Sequence, residues 1–384
     1  MSGTDVLFWV QHLLGSGHLR RALAVAEAVA ARGMDVTLAS GGPPMPWPPP
    51  AGVRLVQLPP VRSVDHAFSA LVDAAGDRSL EQLLAIRRDL LLDLFERVEP
   101  AALLTEMFPF GRRAFRHELL PLLSAAAELR PRPLILSSVR DVLVSKGRPD
   151  RLREMRDLCL ARYDKVLVHG DERLLPFAAT FPHAAELGER IVHTGFVHSP
   201  SAEAPTPRRD AVLVSAGGGA VGQRLLQAAL AARPHTRLGE APWRLIAGAN
   251  LPEAEWSRLQ EGRAEGVVLE RHRDDLPALM GRARVAISQA GYNTVVEALF
   301  ARARMVLVPF DAPGQDEQQR RAERLRDLGW AELVPEATLT PAALAAAIDR
   351  AAARPRPPSR ALAFDGAARS AELIERLLRA RADG

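Results

Sequence analysis

The sequence predicts an α/β protein built from two doubly wound parallel sheets. Three observations carry this reading. Short apolar runs alternate with helix-period segments along the whole 384 residues. Each half opens on a strand, a glycine-rich turn and a helix, and a polar, proline-spaced stretch separates the halves. With 47% hydrophobic and 25% charged residues, both halves can bury a core and stay in solution.

The strands expected in the first half are residues 6–10, 36–40, 53–58, 102–106, 134–138, 165–169 and 191–194. Those expected in the second are 211–216, 243–248, 267–271, 285–289, 305–310 and 331–334. Most are near-continuously apolar, as strands covered on both faces are. Between them the spacing is helical: Leu19, Ala22, Leu23, Ala26, Val29 and Ala30 share a face, which Gly33 ends. Residues 199–210, with Pro200, Pro205 and Pro207, read as the linker. Domains are therefore expected at 1–198 and 208–358, and a helical segment over 360–380 is left to cross back to the first domain. Residues 43–50 and 61–76 read as loops of that domain.

The isoelectric point of 9.9 suggests nucleic acid, yet the net charge is only +4. Lys146 and Lys165 are the only lysines, so arginine supplies the basicity. It is interleaved with acids, as in 151–157, and not with aromatics. This is the pattern of solvated helix faces, and no nucleic-acid partner is expected. Arginine-rich faces can dock on anionic lipid, which leaves peripheral membrane association open. The apolar run at 6–10 follows Asp5 and is too short for a signal segment. No stretch approaches the roughly 18 apolar residues of a membrane span. A single cysteine, Cys159, rules out an internal disulfide and suits a reducing compartment. The expected location is the cytoplasm, including the inner face of the membrane.

The two glycine-rich turns are Gly15-Ser16-Gly17-His18 and Gly217-Gly218-Gly219-Ala220-Val221-Gly222. Glycine lets main chain approach an anion, and the helix that follows offers free N–H groups and a positive dipole end. The second turn spells G-x-G-x-x-G, but neither half has an acid at the end of its next strand to hold a dinucleotide ribose. NAD and FAD are disfavoured and no cofactor is expected. A diphosphate is expected at one or both turns, the alternative being glycines that only make tight turns. His18 lies where open α/β sheets place ligands; it reads as a general base, or as a capping or phosphate-contacting residue.

The most specific stretch is Ser288-Gln289-Ala290-Gly291-Tyr292-Asn293-Thr294-Val295-Val296-Glu297, followed by a strand and Gln318-Gln319. On a helix from Gly291, Asn293 and Glu297 share a face with Thr294 beside them. Such polar groups suit the hydroxyls of a sugar or ribose. The stretch contains no metal-ligand cluster and no nucleophile–base pair. In the first half, Glu106, Arg140 and Asp141 follow expected strands and read as acceptor-site residues, or as a structural arginine–carboxylate pair.

This stretch resembles the donor-binding segment of glycosyltransferase family 28, and both glycine-rich turns fall where that family has them. The segments Glu106–Arg113 and Ser138–Asp141 resemble a less characterised branch of predicted glycosyltransferases. The resemblance implies the GT-B fold and an inverting, metal-independent transfer from a nucleotide diphosphate sugar, with UDP as the nucleotide. It implies that Glu297 holds the ribose, Thr294 and the Gly291 turn hold the diphosphate, and Gln318 and Gln319 meet the sugar. Main chain near His272 and Arg273 would meet the base. His18 would act as base or acceptor-phosphate contact, with Glu106 or Asp141 as the alternative base and Gly15, Gly17 and Arg140 on the acceptor side. Arg320, Arg321 and Ala322 stand where the family often has asparagine after the glutamines, and Tyr292-Asn293 stands where it usually has small apolar residues. The acceptor, lipid-linked or small, has no legible motif. The rival readings are a UDP-sugar epimerase or hydrolase on the same fold and a non-catalytic nucleotide-sugar binder.

Overall fold

The computed structural model describes residues 5–13, 15–46, 48–64, 70–143, 148–198, 211–218, 222–311 and 316–383. The expected linker at 199–210, Gly219 and part of the expected loops at 43–50 and 61–76 therefore lie outside the described residues. The chain divides into two compact units. The first is Met1–Leu143 and Gly147–Ser199 together with Ala363–Gly384, and the described residues of the second lie within Pro200–Leu362.

The strands of the first unit are β1 (Val6–Val10), β2 (Val36–Ser40), β3 (Val53–Gln57), β4 (Val61–Ser63), β5 (Leu71–Asp73), β6 (Ala102–Glu106), β7 (Leu134–Arg140), β8 (Lys165–His169) and β9 (Ile191–His193). Its helices are α1 (Gly17–Ala30), α2 (Leu80–Val98), α3 (Arg116–Glu128), α4 (Pro149–Arg162) and α5 (Ala184–Leu187). The second unit holds β10 (Val212–Ser215), β11 (Trp243–Ile246), β12 (Val267–Glu270), β13 (Val285–Ser288), β14 (Met305–Leu307) and β15 (Ala331–Leu333). Around them lie α6 (Gln223–Ala232), α7 (Glu253–Glu261), α8 (Leu276–Arg282), α9 (Tyr292–Phe300), α10 (Glu317–Asp327) and α11 (Pro341–Ala353). A last helix, α12 (Gly366–Ala382), belongs to the first unit.

The first unit's main sheet runs β3-β2-β1-β6-β7-β8-β9 and the second unit's runs β12-β11-β10-β13-β14-β15. Every pairing in both is parallel. The order reverses between β1 and β6 in one sheet and between β10 and β13 in the other, where a crevice opens at the strands' carboxyl ends. β1 shows why its sequence is apolar throughout. Leu7 and Trp9 face a core with α2 and α3, while Val6, Phe8 and Val10 face one with α1 and α12. The second unit buries Val212, Val214, Val285 and Ile287 beneath α6 and α11. Thr340 caps α11 by accepting from Ala343 N at 3.1 Å.

Two local expectations are corrected. Residues 61–76 are not all loop, because β4 and β5 pair as an antiparallel hairpin. Strands this short carry too few residues for an alternation to register. The helix expected over 360–380 starts only at Gly366, after a short turn at Ser359–Ala361 and an extended stretch. That stretch is fixed to the first unit. Phe196 N donates to Ala363 O at 2.8 Å, Gly366 N donates to Phe196 O at 3.0 Å, and Val197 bridges Asp365. Among the described residues no helix is long and apolar enough to cross a membrane.

Candidate active site

In the second unit the reversal of strand order brings the turn after β10 against the turn after β13. Gly217 has φ +61, which glycine adopts without strain, and a side chain built on it would come 3.9 Å from Gln289 Oε1. Gly218 O accepts from Asn250 N at 3.1 Å. Gly222 lets α6 close on the strand, since a Cβ there would stand 2.0 Å from that of Ala216.

Gly291 is different in kind. Its φ of −62 and ψ of 150 are open to any residue, and nothing lies within 4 Å of where its Cβ would be. It precedes α9, whose Asn293, Thr294 and Glu297 form the half-buried face opposite Val295, Val296 and Leu299. The α9 entrance is held from α10. Gln318 Oε1 accepts from Ala290 N at 3.0 Å and Phe310 N at 3.1 Å, tying the ends of two strands together. Buried Arg321 donates to Ala290 O at 2.7 Å and lies 5.9 Å from the Tyr292 ring. Both main-chain polar atoms of Ala290 are thus gripped by one helix. Gln319 bonds Glu323 one turn along at 2.7 Å. His272 and Arg273 follow the edge strand β12. His272 pairs with Asp274 at 2.9 Å and Arg273 forks onto Asp275 with two 2.7 Å bonds. They stand at the edge of the rim, two strands from the reversal.

In the first unit the reversal joins His18, at the start of α1, to Glu106, the last residue of β6. His18 Nδ1 lies 3.0 Å from Glu106 Oε1, and Arg21 Nη2 reaches the same oxygen. Two acceptors cannot face each other at that distance, so Nδ1 carries the proton and Nε2 keeps a lone pair. Burial pushes the His18 pKa well below its ordinary range, reinforced by Arg112, Arg21, Arg140 and His12. The imidazole is neutral at pH 7 although 19% of its side chain is exposed. Glu106 is wholly buried, and so is Asp141, whose Oδ1 accepts from Val142 N at 2.8 Å. Gly15 is exposed with no atom within 4 Å of a built Cβ, and Gly17 opens α1. Arg140 ends β7, and Arg112 donates to Gln11 O at 2.8 Å.

Sequence reasoning did not give the supports of this rim their role. Arg21, Ser138 and His169 surround Glu106, yet lie 85, 32 and 63 positions from it in the chain. Arg87 forks onto Glu118 with bonds of 2.9 and 2.7 Å, and its other donors reach Gly41 O, Pro59 O and Gln11. Both side chains are fully buried, which an arginine tolerates only when every donor is satisfied. A charged residue at a helix position whose neighbours are apolar was the available signal: Arg87 lies four residues after Leu83 and four before Leu91. Among the described residues no group of His, Cys, Asp or Glu is placed to hold a metal.

Two doubly wound units in succession, each with its rim at the reversal of strand order, are the GT-B architecture. MurG from Acinetobacter baumannii shares it, with a TM-score of 0.62 and 17% identity over 97% of this chain and 99% of that one. Residues 212–377, from β10 into α12, match the glycosyltransferase family 28 C-terminal domain. The chain is thus a GT-B protein that resembles glycosyltransferase family 28. Two curated relatives are both UDP-N-acetylglucosamine–N-acetylmuramyl-(pentapeptide) pyrophosphoryl-undecaprenol N-acetylglucosamine transferases. The one from Shewanella loihica is 27% identical over 43% of this chain and 46% of its own length, so the chain spans about half of it. The one from Bordetella parapertussis is 28% identical over 86% of this chain and 84% of its own length.

Proposed function

We propose that the protein moves a sugar from a UDP-sugar to an acceptor hydroxyl, with inversion at C1 and without a metal ion. The observation that carries this is the α9 entrance. Neither conformation nor packing asks for a glycine at Gly291, whereas a ligand approaching the main chain does. The anion-binding end of a helix lies directly behind it, inside the region that matches the family 28 domain.

In this reading the C-terminal domain, 208–358, takes the donor. The diphosphate sits at Gly291 and Thr294, with the Gly217–Gly218 turn opposite. Glu297, with Asn293 beside it, holds the ribose hydroxyls, and main chain at His272 and Arg273 meets the base. Gln318 has its carbonyl committed to two backbone N–H groups, so only its amide nitrogen remains to donate to the sugar; Gln319 stands beside it. The N-terminal domain, 1–198, takes the acceptor, lipid-linked or small, with Gly15, Gly17 and Arg140 on its polar or phosphate group. His18 Nε2 removes the acceptor's hydroxyl proton, and the freed oxygen pair forms the bond to C1. The bond from C1 to the diphosphate oxygen breaks with its electrons, and UDP leaves, stabilised by the α9 N–H groups. Glu106 keeps Nδ1 protonated and steadies the imidazolium; Asp141, behind the same rim, shapes the acceptor side. The protein works in the cytoplasm or on the inner face of the membrane.

The test measures UDP release from a set of UDP-sugars with small and lipid-linked acceptors, with and without EDTA. Acceptor-dependent release, unchanged by EDTA and lost in Glu297→Ala and His18→Ala, is expected. Rapid hydrolysis or epimerisation without acceptor would overturn the transferase reading, and binding with no turnover of any kind would favour a scaffold.

A further inference from the structure

The His18–Glu106 pair rests on a second layer of side chains. Glu106 Oε2, the oxygen not facing the imidazole, accepts from Ser138 Oγ at 2.7 Å. Ser138 Oγ lies 2.9 Å from His169 Nε2, and His169 Nδ1 lies 2.9 Å from Thr194 Oγ1. All four residues are buried. The direction of each bond follows from counting hydrogens. Ser138 has one hydroxyl hydrogen and gives it to Glu106, so His169 must donate from Nε2. Burial above all, and Arg21 after it, hold the His169 pKa at about 3 against the opposing pull of Glu106. The ring is therefore neutral, and its Nδ1 accepts. Thr194 supplies that hydrogen over 2.9 Å, whereas its alternative acceptors, the Val168 and Gly195 carbonyls, are 3.3 Å away. The chain of donors runs one way, from the end of β9 through β8 and β7 to β6.

We propose that Ser138 and His169 are positioning residues for His18. Through Ser138 they hydrogen-bond Glu106 at Oε2 and so withdraw charge from the carboxylate, whose Oε1 the Arg21 contact keeps beside His18 Nδ1. This rests on reading His18 as the base. The charged and titratable groups facing the imidazole are His12 after β1, Arg21 on α1, Arg112 after β6 and Arg140 ending β7; Glu106 is its hydrogen-bonded carboxylate. Glu106 and Arg21 face His169 in turn. With Ser138 removed, Glu106 regains charge density and holds the imidazolium proton more tightly. The His18 midpoint then rises.

The experiment follows the His18 ring carbon by NMR against pH in the full chain, assigned by its loss in His18→Gln. It is paired with the pH profile of kcat/KM for UDP release. Ser138→Ala and His169→Ala should each raise the His18 midpoint, and with it the acid limb, by about one pH unit. His169→Gln, which keeps an N–H for Ser138, should restore the wild-type midpoint. Unchanged midpoints in folded Ser138→Ala and His169→Ala would overturn the proposal. If Ser138→Ala does not fold, the nearly isosteric Ser138→Cys carries the test: a smaller rise supports the proposal and none overturns it. The NMR titration needs no substrate. A shifted midpoint without any UDP release would therefore sink only the transferase reading.

Discussion

Gly222 and Gly291 are the same residue type in opposite surroundings. At Gly222 an added methyl would overlap the Cβ of Ala216, so Gly222→Ala should destabilise the second unit by roughly 1–3 kcal/mol in denaturant unfolding. At Gly291 the same methyl meets empty space on a backbone any residue adopts. Gly291→Ala should leave unfolding within about 0.5 kcal/mol of wild type. It should nonetheless weaken UDP binding, read by calorimetry, at least tenfold, because the methyl occupies the approach to the helix end. Equal affinity in the variant would remove the strongest support for a donor at this turn. The letter G marks both positions in the sequence; only three-dimensional surroundings tell a glycine that packing requires from one that it does not.

At the scale of elements, α10 matters for what it grips. Gln318 and Arg321 lie three residues apart on one helix face and take both main-chain polar atoms of Ala290. Arg321→Met keeps most of the apolar stem but leaves the Ala290 carbonyl without this donor. The expected outcome is a loss of about 1–3 kcal/mol in stability, with weaker UDP binding measured in the folded variant. A variant with wild-type affinity would show that the α9 entrance needs no such grip. The elements themselves were legible to different degrees. Both parallel sheets could be read from sequence because strands buried on two faces must be apolar throughout, as Val6–Val10 is. The ends shifted by one to three residues, as at β14, because Val308 and Pro309 are as apolar as the strand they follow. The β4–β5 hairpin was illegible, its strands being too short for a period. In the candidate site, His18, Glu106 and Gly291 announced themselves by chemistry at strand ends. His169 did not, because what gives it meaning is a neighbour 31 residues away.

For the molecule as a whole, the histidines with lowered pKa values are distributed unevenly between the units. His12, His18, His117, His169, His193 and His198 all lie in the first unit, and burial lowers the pKa of each below 6.5. Below that value the unfolded chain binds more protons than the folded unit. The stability these groups contribute is complete above pH 6.5 and is lost as pH falls through it, by up to about 1.4 kcal/mol per pH unit for a group as buried as His169. Unfolding followed by hydrogen exchange should therefore show the first unit weakening between pH 7 and 5, with a shallower slope in His169→Gln. A first unit equally stable at both values would contradict the lowered histidines.

The return of α12 also has a consequence for biosynthesis. Ala371, Leu373 and Ile374 complete the layer over α1, yet the ribosome makes them after all of residues 211–362. Translation proceeds from the N-terminus, so the half made first must wait, one apolar flank uncovered, while the half made second emerges as an uninterrupted segment. The nascent first unit is a client for chaperones during that interval, and arrest-released chains ending near residue 362 should be cleaved by protease in the first unit before the second.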